Sequence, residues 1–78
     1  MYTNFDPFED TAPATVTLTR PSRRILITNT STNQNLGFKF ASSGTAATLK
    51  PLETVTLTLH TRQVILTGTA NYRVWSYS

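Results

Sequence analysis

The sequence contains no cysteine and only one histidine, His60, and these two scarcities exclude several kinds of site. Without cysteine there is no disulfide, no thiolate nucleophile and no thiolate metal ligand. A catalytic metal needs about three ligands from His, Cys, Asp or Glu. After residue 13 the chain has one acid, Glu53, beside that one histidine. A carboxylate pair for glycoside hydrolysis is missing there too. We therefore expect no metal site.

Serine and threonine are plentiful, but a hydroxyl nucleophile needs a base beside it. The single imidazole follows a run of alternating strand residues and is flanked by Thr61 and Arg62, which is typical of a solvated strand end. The three glycines, Gly37, Gly44 and Gly68, are too far apart to form a phosphate-binding loop. We expect no catalytic residues, no cofactor and no enzymatic activity.

Charge and long apolar runs are also scarce. Charged residues make up 14% of the chain, against about 25% in an ordinary soluble domain. There is no run of about 18 apolar residues. The first basic residue is Arg20, so the start of the chain lacks the basic region of a secretion signal. We expect no membrane association. The polar surface is supplied mainly by threonine, serine and asparagine, which favours packing against other proteins.

A chain of 78 residues forms one domain with a thin core. Domains of this size usually gain stability from disulfides, a metal or oligomerisation. Because the first two are excluded, we expect a homo-oligomer or docking on a larger partner.

From Ala14 onward, apolar residues alternate with polar ones at period two, and no helical spacing is sustained. Strands are predicted at residues 16–20, 24–30, 36–40, 54–60, 63–67 and 71–77, with a brief one at 48–49. The spacing of about ten residues between them is typical of sandwiches and small barrels. The sequence predicts an all-β fold: a small antiparallel β-sandwich or jelly-roll-like barrel of six to seven short strands with an extended N-terminal arm.

Residues 1–13 differ from the rest of the chain, and we interpret them as that arm, followed by a β-sandwich domain at 14–78. The arm holds three of the four acids, three aromatics at every third position, and two prolines that interrupt regular structure. A frayed terminus is the alternative.

The arm and the body carry opposite charge. The chain has a net charge of +3, and without the arm the body has seven basic residues against one acid. Three of the basic residues cluster near residue 22. The arm of one copy would lie on the body of the next copy or on a partner protein, with its acids paired to arginines; folding back onto its own body is the alternative. The predicted partner-binding residues are Tyr2, Phe5, Asp6, Phe8, Glu9, Asp10, Arg20, Arg23 and Arg24.

A second class of function, binding of single-stranded nucleic acid, needs basic residues interleaved with exposed aromatics. The candidates for stacking are Phe38, Phe40, Tyr72, Trp75 and Tyr77. Because Phe38 and Phe40 share a strand face with Leu36, we expect them in the core, and nucleic acid is the less favoured partner.

Several segments carry a resemblance: a strand ending in Asn29-Thr30, a strand with Phe38, the turn at residues 49–53, the strand Val55-Thr56-Leu57, and a final strand near Asn71. In this order, over about residues 23–75, the chain resembles short β proteins of tailed bacteriophages. Their turn pattern is Leu-x-Pro-Gly-Glu, and Leu52 stands here in place of the glycine.

The resemblance implies a structural virion protein. The expectation is a capsid cement or decoration protein that bridges capsid subunits at the capsid surface, assembled in the host cytoplasm. Its partner would be the major capsid protein or another virion protein, with a trimer as the favoured oligomer. A tail, fibre or head-to-tail adaptor component is the alternative within the same class.

Overall fold

The computed structural model describes residues 4–78, and this range contains eight strands and no helix. The strands are β1 (Phe5–Thr11), β2 (Ala14–Thr17), β3 (Arg24–Asn29), β4 (Leu36–Lys39), β5 (Ala47–Leu49), β6 (Thr54–Leu57), β7 (Gln63–Gly68) and β8 (Asn71–Tyr77). Most are rich in β-branched and aromatic residues and lie between polar turns, as their sequence predicts.

The strands form two antiparallel sheets of four. Sheet A has the order β1-β8-β3-β6 and sheet B the order β2-β7-β4-β5. The first strand therefore pairs with the last, the second with the seventh, the third with the sixth and the fourth with the fifth, and successive pairs lie in alternate sheets. The shortest extent of the molecule, 18 Å, agrees with two stacked sheets whose backbones are about 10 Å apart. The predicted all-β, sandwich-like architecture is confirmed.

The strand count and the N-terminal arm differ from the prediction. The sandwich has eight strands rather than six or seven, because residues 5–11 of the expected arm form β1 at the edge of sheet A. β1 pairs with β8 from Phe5↔Tyr77 to Thr11↔Asn71. Pro7 lacks an N–H, but an edge strand needs backbone partners on one side only, so proline is tolerated there. Tyr2 lies outside the described residues.

The core lies between the two sheets, where the inward positions of each strand are apolar. Ile25 and Ile27 of β3 and Val74 of β8 are fully buried in sheet A, and Val64 of β7 and Leu36 of β4 are fully buried in sheet B. Buried residues alternate with more exposed ones along β3, β7 and β8, because successive side chains of a strand point to opposite faces of the sheet. This burial supplies most of the favourable free energy of folding.

One buried polar side chain, Asn29, connects the loops at one end of the sandwich. Its Nδ2 donates to the backbone oxygens of Gln34 at 2.6 Å and Leu49 at 3.2 Å. Its Oδ1 accepts from the backbone N–H of Ser31 at 3.0 Å. Asn29 is fully buried, so these bonds satisfy groups that would otherwise be costly to remove from water.

The turn at residues 50–53 has a backbone conformation that favours glycine at its third position, where this chain has Leu52. The N–H of Glu53 donates to the carbonyl oxygen of Lys50 at 3.1 Å, and Leu52 has a φ of 64°. Proline at the second turn position and positive φ at the third are typical of a type II turn, where glycine is preferred. Here a leucine adopts the strained conformation and is 65% exposed.

Candidate interaction surface

The outward side chains of sheet A form a surface that we call the aromatic face. The strand registers place these side chains in three rows across the sheet. The rows are Phe5–Tyr77–Arg24, then Pro7–Trp75–Leu26–Thr56, then Glu9–Arg73–Thr28–Thr54. The outward face of a solvated antiparallel sheet is normally polar, whereas the first two rows here are mostly apolar.

Three aromatic rings dominate this face. Phe5 is 48% exposed. Its ring packs edge-on against Trp75 with centroids 5.8 Å apart, and it stacks on Tyr77 at 5.0 Å. Trp75 and Tyr77 are themselves only partly buried. Such a contiguous, partly exposed aromatic cluster is typical of a surface that contacts another molecule.

Two charged side chains border the cluster in the third row. The Nε of Arg73 lies 3.4 Å from the Oε1 of Glu9, and the two side chains are 38% and 66% exposed. Because the pair is solvated, its contribution to stability is about 0–1 kcal/mol. The Arg73 guanidinium also lies over the Trp75 ring, 5.2 Å from its centroid. Arg73 therefore lies next to both the Glu9 carboxylate and the face of the Trp75 ring.

The opposite end of the sheet is basic. A cleft of about 370 Å³ is lined by Asn4, Arg20, Pro21, Arg23, His60 and Ser78. Asn4 and Ser78 pair through their backbones at 2.9 and 3.0 Å and extend the Phe5–Tyr77 end of sheet A. The structure thus places Arg20 and Arg23 in a cleft next to the aromatic face. Arg24 lies on the face itself, in the same row as Phe5.

The other candidates from residues 5–11 have separate positions. Phe8 points inward and packs against the core. Asp6 accepts a hydrogen bond from the hydroxyl of Thr19, and Asp10 accepts one from the backbone N–H of Thr11 at 2.8 Å. Glu9 pairs with Arg73, which is not one of the three arginines singled out from the sequence. The candidates therefore do not form one surface: Phe5, Glu9 and Arg24 share the aromatic face, and Phe8 is part of the interior.

Asp10 also influences a buried tyrosine. Tyr72 faces it across the β1–β8 pair and is 4% exposed. Burial raises the pKa of the Tyr72 phenol above its usual value of 10.0, and the negative charge of Asp10 raises it further. Both effects disfavour the phenolate, so this tyrosine is a neutral core residue. It is not available for base stacking, and Phe38 is likewise buried.

Sequence reasoning gave no role in protein binding to Trp75, Tyr77, Leu26 and Arg73. The signal was present in β8, where Tyr72, Val74 and Ser76 alternate with the outward set. β8 carries large side chains on both of its faces. Only one face of such a sheet packs against the core, so the other set of large side chains lies on the outer surface. The register of β8 between β1 and β3 then brings Phe5 and Leu26 to the same outward surface.

In residues 4–78 the structure contains no helix long and apolar enough to cross a membrane. Within the same residues, no three histidine, aspartate or glutamate side chains are grouped closely enough to hold a metal ion. Comparison of the chain with protein-family models, with curated proteins and with solved structures yields no match.

Proposed function

We propose that this protein is a structural, non-enzymatic assembly component that works by binding other proteins through the aromatic face. The observation that carries the proposal is the contact of Phe5 with Trp75 and Tyr77 on the solvent side of sheet A. Tryptophan, tyrosine and arginine are the residues most enriched in the energetically dominant part of protein interfaces. Arg24 and Arg73 lie within the same surface.

The more specific proposal is a capsid cement or decoration protein of a tailed bacteriophage. It bridges capsid subunits at the virion surface, and its partner is the major capsid protein or another virion protein. Two considerations support it. The first is the resemblance of residues 23–75 to phage β proteins. The second is the strand pairing, in which the first strand pairs with the last, the second with the seventh, the third with the sixth and the fourth with the fifth. That pairing is the jelly-roll arrangement, which is frequent in viral capsid domains. Fold alone does not imply function, so the aromatic face remains the main support.

The alternative within the same class is a tail, fibre or head-to-tail adaptor component. Copy number separates the two roles, because decoration of a head needs hundreds of copies and a tail part needs few. Quantitative mass spectrometry of virions of the phage that encodes the chain measures this number directly.

Single-stranded nucleic acid is the second candidate partner, since Trp75 and Tyr77 lie beside Arg73 and Arg24 on an open sheet. Glu9 lies on the same face and is paired with Arg73. A carboxylate at that position repels phosphates, so protein is the favoured partner. Nucleic-acid binding would show a steep fall in affinity with rising salt, and fluorescence anisotropy with a labelled oligonucleotide tests for it.

The decisive experiment uses point substitutions, because deletion of residues 1–12 removes β1 and disturbs the fold as well as the surface. Trp75→Thr and Phe5→Thr reduce the aromatic face while keeping a residue suited to strands. Ile65→Thr is the matched control: Ile65 is half-buried and pairs with Thr15 and Lys39 on the outward side of sheet B.

Co-sedimentation with purified heads that lack the protein is the assay. We expect the unchanged protein and Ile65→Thr to sediment with heads, and the two aromatic-face variants to bind at least about tenfold more weakly, as for loss of an interface hot spot. Equal binding by all four proteins would show that the aromatic face is not the docking surface. Failure of the unchanged protein to bind any virion component would refute the structural role.

A further inference from the structure

The aromatic face is self-complementary, and we propose that its occupant is a second copy of this chain, packed face to face about a two-fold axis that passes through Trp75. The inference rests on the proposed protein-binding role of the aromatic face. It assigns the face to the pairing of two copies, so that the dimer is the unit that binds the capsid and loss of the face weakens capsid binding by separating the dimer. Three observations carry it: the positions of two opposite charges, the position of the tryptophan between them, and the size of the face.

Two opposite charges lie on either side of Trp75 on the aromatic face. Arg24 is exposed and lies on β3 in the first row, and the carboxylate of Glu9 lies on β1 in the third row. β8 runs between these two strands. Trp75 lies on β8 in the middle row. In the lattice of the sheet, the tryptophan is therefore midway between the arginine and the glutamate.

This arrangement has a geometric consequence for two facing copies. Consider a two-fold axis that lies in the plane between the facing sheet A of one copy and sheet A of the other. If the axis passes over Trp75 and is perpendicular to the line from Arg24 to Glu9, it exchanges these two positions. Arg24 of each copy then lies opposite Glu9 of the other, and the two Trp75 rings meet at the centre. An isologous contact of this kind is the commonest basis of protein dimers. Its aromatic centre and charged periphery match the usual anatomy of interfaces.

The face is large enough for a reversible contact. The two longer extents of the molecule are 35 and 25 Å, and the sheets stack along the third. Sheet A forms one broad side of that outline, and its four strands of up to seven residues cover roughly 19 by 24 Å at ordinary strand spacing and rise. The contact is therefore smaller than the roughly 800 Å² per partner of a standard interface, as in weak, reversible complexes. Pro7 and Leu26, which flank Trp75 in the middle row, add apolar area close to the axis.

Charge reversal with complementation tests the pairing, with sedimentation velocity as the readout. Arg24→Glu alone and Glu9→Arg alone each place like charges opposite one another twice per dimer. We expect each variant to associate roughly 30-fold more weakly than the unchanged protein, from two exposed pairs converted from attraction to repulsion. An equimolar mixture of the two variants contains only complementary pairs across the axis, so dimers are expected to return.

The controls separate this effect from misfolding and from net charge. Lys39→Glu changes the charge by the same amount on the outward side of sheet B and is expected to leave association unchanged. The double variant Arg24→Glu with Glu9→Arg in one chain is expected to dimerise by itself. Circular dichroism shows whether each variant keeps its sheet content.

Cross-linking supplies a second readout that needs no loss of function. Arg24→Lys keeps the charge, and a zero-length carbodiimide joins a lysine to a carboxylate only when they touch. Within one chain, strand spacing and rise place residues 9 and 24 roughly 17 Å apart. A cross-link between Glu9 and the lysine introduced at position 24, found by mass spectrometry in the dimer band, is therefore intermolecular and is the expected result.

The outcomes distinguish the inference from the proposed function. If the mixture of reversed variants stays monomeric, or if the unchanged protein is a monomer or a trimer, the two-fold pairing is overturned. If, in that case, heads still bind the unchanged protein but do not bind Trp75→Thr, the aromatic face remains the docking surface and has a different occupant. Restored dimers together with no binding to any virion component would support the pairing and refute the virion role.

Discussion

Truncation of Phe8 is the sharpest test of whether residues 5–11 belong to the sandwich. Phe8 pairs with Val74 in the register of β1 and β8, points inward and packs against the buried core. Phe5, three residues earlier, points to the opposite side of the sheet and is 48% exposed. Phe8→Ala and Phe5→Ala therefore remove the same side chain from the two faces of one edge strand.

The expected magnitudes follow from burial. Full truncation of a buried phenylalanine costs about 3–5 kcal/mol. Because Phe8 is only partly buried, we expect a loss of about 2 kcal/mol in the free energy of unfolding. Phe5 loses ring contacts with Trp75 and Tyr77, which are worth about 0.5–1 kcal/mol at an exposed site. A domain of this size shifts its Tm by about 4–8 °C per kcal/mol, so Phe8→Ala is expected to melt about 10 °C lower.

Urea denaturation followed by circular dichroism is the assay, because Phe5 touches the single tryptophan and its loss alters fluorescence directly. The order of the two losses matters more than their size. If Phe8→Ala is as stable as the unchanged protein to within about 0.5 kcal/mol, or is more stable than Phe5→Ala, residues 5–11 do not contribute a core strand and the reasoning is refuted.

Three further predictions concern the interior and one turn. Asn29→Ala removes three side-chain hydrogen bonds and is expected to lower the free energy of unfolding by about 3 kcal/mol, with Asn33→Ala in the exposed loop that follows β3 as a control near zero. Leu52→Gly relieves the positive φ and is expected to raise stability by about 0.5–1 kcal/mol in chemical denaturation; a loss would contradict this account of the turn. The pKa of Tyr72 is raised in the folded protein, so the tyrosine loses its proton at lower pH in the unfolded chain than in the folded one. The free energy of unfolding is therefore expected to fall as the pH rises from 10.0 through the folded-state pKa. Tyr72→Phe removes that part of the fall, and parallel unfolding curves in alkaline buffer measure the difference.

Local pattern was sufficient to identify most strands. β6 carries the period-two alternation, β3, β7 and β8 are short runs rich in β-branched and aromatic residues, and the polar or glycine-containing segments between them mark turns. β1 was missed because the two prolines and three acids of residues 1–13 argue against a strand when that segment is considered alone. Its status depends on β8, which supplies its hydrogen bonds, and on its edge position, which tolerates Pro7.

The same distinction holds for the candidate site. Phe5, Glu9 and Arg24 were selected from composition and charge, but the reason they belong together is the register of β1, β8 and β3, which no local pattern contains. Phe8 was selected by the same reasoning as Phe5 and lies in the core instead, because successive side chains of a strand point to opposite faces and three residues separate the two.

The amino-acid sequence by itself determined that this is a small all-β protein without cysteine chemistry, because composition and a two-residue period depend only on neighbouring positions. The tertiary structure alone decided that the N-terminal segment is a strand, which of its aromatics is buried, and which distant side chains meet on the outer face of sheet A. Those properties depend on pairing between residues far apart in the chain, such as Phe5 with Tyr77, which no run of neighbouring positions contains.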